Sequence, residues 1–190
     1  MQQHPLFIYG SLLDKDILSA VLGRTVDPDM VCPARLADFA THTYPNESFP
    51  LLKPSPGNFA RGEVIYGMSQ TDFDRINFYE GDEYGFGELE VELADGSLIT
   101  ATFNRSEPLE VNTPEWNLTC WQRDEKPTFI IMCQRYMALY GTMSIDEADA
   151  IWQQLVTEDQ QRKAQSRNNL TPDMHTISPD GSEESIEESL

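Results

Sequence analysis

Leu6-Phe7-Ile8-Tyr9-Gly10-Ser11-Leu12-Leu13 is a brief apolar run, stopped by glycine and serine and followed at once by residues at helical spacing. The run reads as a short, buried first strand. Asp14 to Leu22 then sets Ile17, Leu18, Val21 and Leu22 on one helical face, and Gly23 follows as a C-cap. The chain therefore opens as strand, tight Gly-Ser turn and helix. Such a turn aims backbone N–H groups and the positive end of a helix dipole outward, which makes a natural anion cradle. Gly10 lets the backbone bend and lets a ligand approach without meeting a Cβ, and Tyr9 adds a ring and a hydroxyl. Shape alone gives this unit no specific ligand, because a strand-turn-helix with one glycine is common. It is not a P-loop, since no G-x-x-x-x-G-K-[ST] follows, and Ser11 lacks the second glycine of a G-x-S-x-G nucleophile elbow.

Further along, Pro33 to Tyr44 alternates apolar and polar residues and reads as a strand. Pro45 to Asn58 holds Pro45, Pro50, Pro54, Pro56 and Gly57 and reads as loop. Phe59 to Met68 reads as another strand, broken or bulged at Gly62 and Gly67. Ser69, with Asp72 three residues on, caps a short helix over Thr71 to Glu80. Glu88-Leu89-Glu90-Val91-Glu92-Leu93 alternates strictly, Asp95-Gly96 offers a type I′ turn, and Leu98 to Phe103 returns, giving an antiparallel hairpin with one wet face. Pro127 to Tyr140 and Ile145 to Val156 are helical, the second capped by Ser144 with Glu147. Met132, Tyr136, Met137 and Tyr140 share one helical face, as do Ala148, Ile151, Trp152 and Leu155.

The helix ending at Glu80 carries the second constellation, Phe78-Tyr79-Glu80-Gly81. Positions 73, 76, 77 and 80 fall on one face, and Phe73 and Ile76 make that face the core-facing one. Glu80 then ends an apolar stripe in the last helical turn, where poor solvation and the dipole's negative end both disfavour its charge. Both effects raise its pKa toward the range of a general base near neutrality. Periodicity alone also allows the opposite arrangement, with Glu80 rolled outward at the fraying end of a short helix, and leans toward it. Glu88, Glu90 and Glu92 belong to the wet face of the hairpin.

Composition narrows the partners. A formal net charge of -19 disfavours nucleic acid and anionic membranes, which carry the same sign. Three scattered cysteines, Cys32, Cys120 and Cys133, make no disulfide framework, and three histidines without metal spacing make no zinc site. The start of the chain has no cationic region ahead of an apolar one, and no apolar run approaches the roughly 20 residues a membrane span needs. The expectation is a cytoplasmic protein, in which the N-x-S/T triplets at Asn46, Asn104 and Asn117 carry no glycan. From about Glu158 the chain turns polar, and Arg167 to Leu190 sets one arginine against six acidic residues. The reading is one domain over 1–157, its helical C-terminal extension at 106–157, and an acidic tail over 158–190 that composition predicts to be disordered.

The two constellations together resemble the γ-glutamylcyclotransferase-like family, including its γ-glutamylamine-cleaving branch. That family opens with a hydrophobic strand running into Y-G-[ST]-L, here Phe7-Ile8-Tyr9-Gly10-Ser11-Leu12. Its helix ending in an L-D-x-x-E-G-like run, followed by a tyrosine and a hairpin, is here Ile76-Asn77-Phe78-Tyr79-Glu80-Gly81-Asp82-Glu83-Tyr84. Arg61-Gly62-Glu63-Val64 looks like its V-x-G-x-[VL] strand, and Asp95-Gly96 its usual D-G turn. Order and spacing agree from Leu6 to about Phe103. Two departures stand out: Asn77 replaces an aspartate, and Gly85-Phe86-Gly87 stands where many members carry an arginine.

The resemblance implies an α+β fold, a small mixed β-barrel with flanking helices. It implies that Tyr9, Gly10, Ser11 and Leu12 bind the glutamyl end of a substrate, with Tyr84 near the pocket, and that Glu80 is the general acid/base. The implied reaction releases 5-oxoproline from a γ-glutamyl amine, amino acid or peptide by attack of its own α-amine, with no metal, nucleotide or other cofactor. The implied partner is that small molecule. A module that binds in the same pocket without turnover is the alternative suggested by Gly85-Phe86-Gly87. A hydrolase with Ser11 as nucleophile is a weaker one, since no histidine is identifiable to activate it. Trp116 and Trp121 read as packing residues.

Overall fold

The computed structural model describes residues 4–45, 47–81, 85–105 and 113–169. Five strands, β1 (Leu6–Ile8), β2 (Val31–Thr43), β3 (Pro50–Ile65), β4 (Gly85–Leu93) and β5 (Leu98–Arg105), close a barrel in the order β1-β3-β2-β4-β5. All neighbouring pairs are antiparallel except β1 and β5, which run parallel. Five α-helices accompany them: α1 (Lys15–Leu22), α2 (Gln70–Glu80), α3 (Leu118–Asp124), α4 (Lys126–Met137) and α5 (Ile145–Asn169). The expected α+β barrel with flanking helices is therefore the architecture.

β1 explains its own composition. Phe7 points into the barrel with Val64, Val91 and Ala101, while Leu6 and Ile8 point out into a second core against α1, α2 and α4. A strand covered on both faces has no polar positions, hence the unbroken Leu-Phe-Ile. Asp14 caps α1 by accepting from the N–H groups of Asp16 and Ile17, and Gly23 ends it at φ 68°. Ser69 and Asp72 form the expected capping box of α2, and Ser144 with Glu147 that of α5.

Three expectations change. The loop predicted over Pro45–Asn58 is mostly strand, because β3 already begins at Pro50. The prolines are tolerated there because β3 pairs with β1 only over Glu63–Ile65, which leaves its first part an open edge needing fewer ladder N–H groups. What remains of the loop is the hairpin tip before Pro50 and a bulge, where the register jumps from Ala37↔Phe59 to Phe39↔Pro54. Asp38 sits opposite that bulge at φ 60° and accepts the Gly57 N–H at 2.8 Å. The Asp95-Gly96 turn is not type I′, which requires positive φ at both residues: only Gly96 has it, at 85°. The Gly96 N–H bonds back to the Leu93 carbonyl and the Leu93 N–H to the Ser97 carbonyl, a turn closed by a glycine bulge. Finally, the helix expected to end at Val156 runs on to Asn169. Leu155 and Asp159 are buried, and Lys163 bridges Asp159 and Glu125 at 2.9 and 2.6 Å, which anchors the added turns to the start of α4.

Candidate active site

Tyr9 ends the first strand in an extended conformation, and Gly10–Leu13 follows as a single 3-10 turn closed by the Asp14 N–H on the Ser11 carbonyl. Gly10 has φ 70°, and the Pro50 ring occupies the space a Cβ would need. Both facts require glycine, since an L side chain is strained there even before it clashes. Ser11 is buried and its Oγ lies 3.1 Å from the Tyr79 hydroxyl, so the turn is hydrogen-bonded to the residue just before Glu80. The Tyr9 hydroxyl donates to the Asn104 carbonyl at 3.4 Å.

Glu80 shares one cavity of about 400 Å³ with Tyr9, Ser11 and Tyr79. The tip of the β2–β3 hairpin (Tyr44, Glu47, Phe49, Pro50) and residues of α4 and α5 (Phe129, Tyr136, Asp149, Trp152, Gln153) complete its wall. Stretches some seventy positions apart thus meet around one hollow, and the outward-rolled alternative for Glu80 is not the observed one. Solvent reaches part of the residue, but protein crowds its carboxyl closely enough that burial raises its pKa from 4.5 to about 7. The Asn104 side chain partly offsets that by favouring the charged form. Asn104 is itself buried, and its amide atoms reach no partner at good hydrogen-bond distance among the described residues, so its contact with the carboxyl is a loose one.

Not every residue singled out from the sequence reaches the cavity. Leu12 packs in the outer core with Ile17 and Ile76, and Gly10 contributes backbone shape rather than lining. Tyr84 lies outside the described residues. Phe86, in the segment that replaces the arginine, is half exposed and packs edge-on against Phe73 at 5.3 Å. Four residues were not picked out from sequence. Tyr79 stood inside the quoted motif without a role. Tyr136 read as packing, yet its hydroxyl lies 2.8 Å from Asp149 Oδ1 and 3.0 Å from the Phe78 carbonyl oxygen. Asp149 sits one turn before Trp152 beside the apolar stripe of α5, and Asn104 is an amide at the end of an otherwise apolar-alternating strand.

The family model for gamma-glutamyl cyclotransferase, AIG2-like, matches residues 6–122, more than half of the chain. The chain belongs to that family. Among its relatives in Arabidopsis thaliana, AIG2-like protein A is 28% identical over 142 residues, covering 72% of this chain and 83% of that protein. AIG2-like protein B is 29% identical over 134 residues, covering 68% and 75%. Two Arabidopsis thaliana proteins of known solution structure share the fold, with TM-scores of 0.53 and 0.52 at 22% and 24% identity. They cover 75% and 74% of this chain, and 86% and 95% of their own. The family model ends within α3, so the α4 and α5 side of the cavity lies beyond the matched residues.

Proposed function

We propose that this chain is a γ-glutamylcyclotransferase, releasing 5-oxoproline from a γ-glutamyl amine, amino acid or peptide, with Glu80 as general acid/base. The observation that carries the reading is the Glu80 carboxyl, its pKa raised to about 7, in one cavity with Tyr9 and Ser11. Membership of the family supplies the reaction class. The geometry supports the roles.

The substrate contains its own nucleophile. Its α-amine can reach the γ-carbonyl carbon to close a five-membered ring, so the enzyme has to fold the substrate and move protons; such intramolecular attack is favoured by effective molarities of about 10⁵ M or more. Ionised Glu80 takes a proton from the α-ammonium, the freed amine attacks the γ-carbonyl, and a C–N bond forms. As the tetrahedral intermediate collapses, Glu80 gives its proton to the leaving nitrogen and the bond to that amine breaks; the carboxylate then takes the second proton from the new ring nitrogen and passes it to the departing amine, which leaves as an ammonium ion. A pKa near neutrality suits a group that must accept and then donate. The Tyr9–Leu12 segment would hold the glutamyl end, with Ser11 and Tyr79 presenting hydroxyls. Ser11 has no nucleophilic part in this reading, since its Oγ faces a tyrosine hydroxyl and, among the described residues, no histidine lines the cavity. The test is incubation with a panel of γ-glutamyl compounds and chromatography for 5-oxoproline. Absence of product from every member would overturn the proposal.

A further inference from the structure

Asn104 stands near the end of β5, where the outer face of that strand passes from solvent into protein. Ile99, Ala101 and Phe103 pack toward the barrel interior, so Leu98, Thr100, Thr102 and Asn104 face outward. Along that face Leu98 and Thr100 are exposed, Thr102 is half-buried and Asn104 is 6% exposed. β5 runs parallel to β1 with Leu6 beside Thr102 and Phe7 beside Phe103, which sets Asn104 level with Ile8, one residue before Tyr9. On its other side Asn104 pairs with Phe86 of β4. The Tyr9 hydroxyl reaches the Asn104 backbone carbonyl at 3.4 Å, and the Asn104 side chain meets the Glu80 carboxyl at the end of α2. One amide thus stands where the turn after β1 and the helix of Glu80 come together.

That amide is otherwise unmatched. Neither its Nδ2 nor its Oδ1 has a partner at good hydrogen-bond distance among the described residues, although both atoms are buried. A buried amide left this way costs stability, and a leucine of similar shape would not carry that cost. Packing therefore gives no account of the residue. The surroundings of Glu80 do. The other charged groups facing its cavity are acids, Glu47 from the β2–β3 tip and Asp149 from α5, and among the described residues no lysine, arginine or histidine lines it. Asp149 is turned to Tyr136, whose hydroxyl lies 2.8 Å from its Oδ1. Burial and acidic neighbours oppose the charge on Glu80, whereas an N–H aimed at the carboxyl favours it. Asn104 supplies that N–H.

We infer that Asn104 is a positioning residue for Glu80: its Nδ2–H groups turn to the carboxylate and hold it, ionised, at the cavity wall from which it takes the substrate's proton. The inference rests on the proposed cyclotransferase reaction for the purpose of that hold, though not for the contact itself. Neutrality suits an amide to the place. A lysine or arginine there would pin Glu80 in its charged form as an ion pair, whereas an amide donates to the carboxylate and still lets the proton come and go.

A cycle of unfolding measurements on the full chain tests the contact without any need for turnover. Wild type, Asn104→Leu, Glu80→Gln and the double variant are unfolded in urea near pH ~8 and near pH ~4. Near pH ~8, Asn104→Leu should move the equilibrium toward the unfolded chain about tenfold further with Glu80 present than in the Glu80→Gln background, the size of one hydrogen bond to a charged group. Near pH ~4, where the carboxyl is protonated in both the folded and the unfolded chain, that difference should vanish. In turnover, Asn104→Leu should lower kcat near pH ~7 by about tenfold and recover it at higher pH, because the ascending limb of the profile moves upward. A residue that served packing alone would lower kcat by one factor at every pH. Should the leucine variant fail to fold by circular dichroism, Asn104→Ala takes its place in the cycle. A coupling of zero, or one equal at both pH values, overturns the positioning role, as does an ascending limb that stays where it was. Failure of every γ-glutamyl compound to yield 5-oxoproline, with the pH-dependent coupling intact, overturns the catalytic reading and leaves the contact standing.

Discussion

Replacing Glu80 with glutamine should remove turnover and make the protein more stable. The carboxyl's pKa is raised from 4.5 to about 7 by burial, against a smaller opposing effect of the Asn104 side chain. In the unfolded chain the same group keeps its ordinary value. Between those two values the folded protein holds a proton that the unfolded chain has released, so this group lowers stability as pH rises. The contribution is absent below 4.5 and complete above about 7, where it amounts to roughly 3 kcal/mol against the fold. Glutamine carries no such titration. The variant should therefore match wild type near pH ~4 and exceed it near pH ~8, by about 6–12 °C in Tm for a chain of this size. Urea or thermal unfolding of both proteins across that range is the assay. Glu47 and Glu63, whose pKa values burial also raises, are common to both proteins and cancel in the difference. Meanwhile kcat of the wild type should rise with pH through about 7, as the carboxyl becomes able to accept a proton. A stability difference that stays flat with pH would show a solvated Glu80 and refute the reasoning, whatever happened to activity.

Ser11→Ala should lower kcat by less than about tenfold, because it removes a hydroxyl that contacts Tyr79 and faces the glutamyl end but no nucleophile; a loss beyond about a thousandfold would restore a nucleophilic serine. Gly10→Ala should abolish activity and destabilise by about 2 kcal/mol or more, since it strains a positive φ and drives a methyl into Pro50; unchanged melting would mean the turn is not held as described. Asp72→Asn should cost about 1–2 kcal/mol near neutrality. Burial works to raise the Asp72 pKa, but Arg24 at 2.7 and 2.9 Å and the Ser69 cap outweigh it and bring it to about 2. Its stabilisation is therefore complete above 3.8 and lost as pH falls toward about 2, so the two proteins should converge in acid urea titrations.

How far this was legible follows from which signals are local. The first strand and its turn, the α1 C-cap at Gly23, the capping box at Ser69 and the alternation from Glu88 all depend on near neighbours and appear in the fold as read. The Pro45–Asn58 segment misled because proline content speaks of ladder N–H groups, while edge status is set by β1, which meets β3 only at its far end. The length of α5 was hidden because Asp159 and Lys163 look like solvated residues until their partner Glu125 is placed. For Glu80, the apolar stripe allowed the inward direction while periodicity alone leaned to the outward one, and nothing near it in sequence announces Asn104, Tyr136 or Asp149. Each of those is a polar residue whose neighbours read as core or strand.

The division between barrel and helices bears on what the site can recognise. The barrel fixes Tyr9 and Ser11, because β1 is clamped on both edges and both faces, and the turn leaving it has no conformational choice at Gly10. The end of α2 is held differently. A helix C-terminus leaves carbonyls without intrahelical partners. Here the Gly81 N–H takes that of Asn77, and the Tyr136 hydroxyl lies 3.0 Å from that of Phe78 and 2.8 Å from Asp149. α4 and α5 thus brace the backbone that carries Glu80, and the same helices, beyond the family-matched residues, supply Phe129 and Trp152 to its cavity. One can therefore expect the proton-transfer geometry and substrate binding to be coupled through these two helices. Trp152→Ala should then raise KM and also lower kcat, because Trp152 packs edge-on against Tyr136 at 5.5 Å. A change in KM with kcat untouched would show that the two functions of this wall are separable.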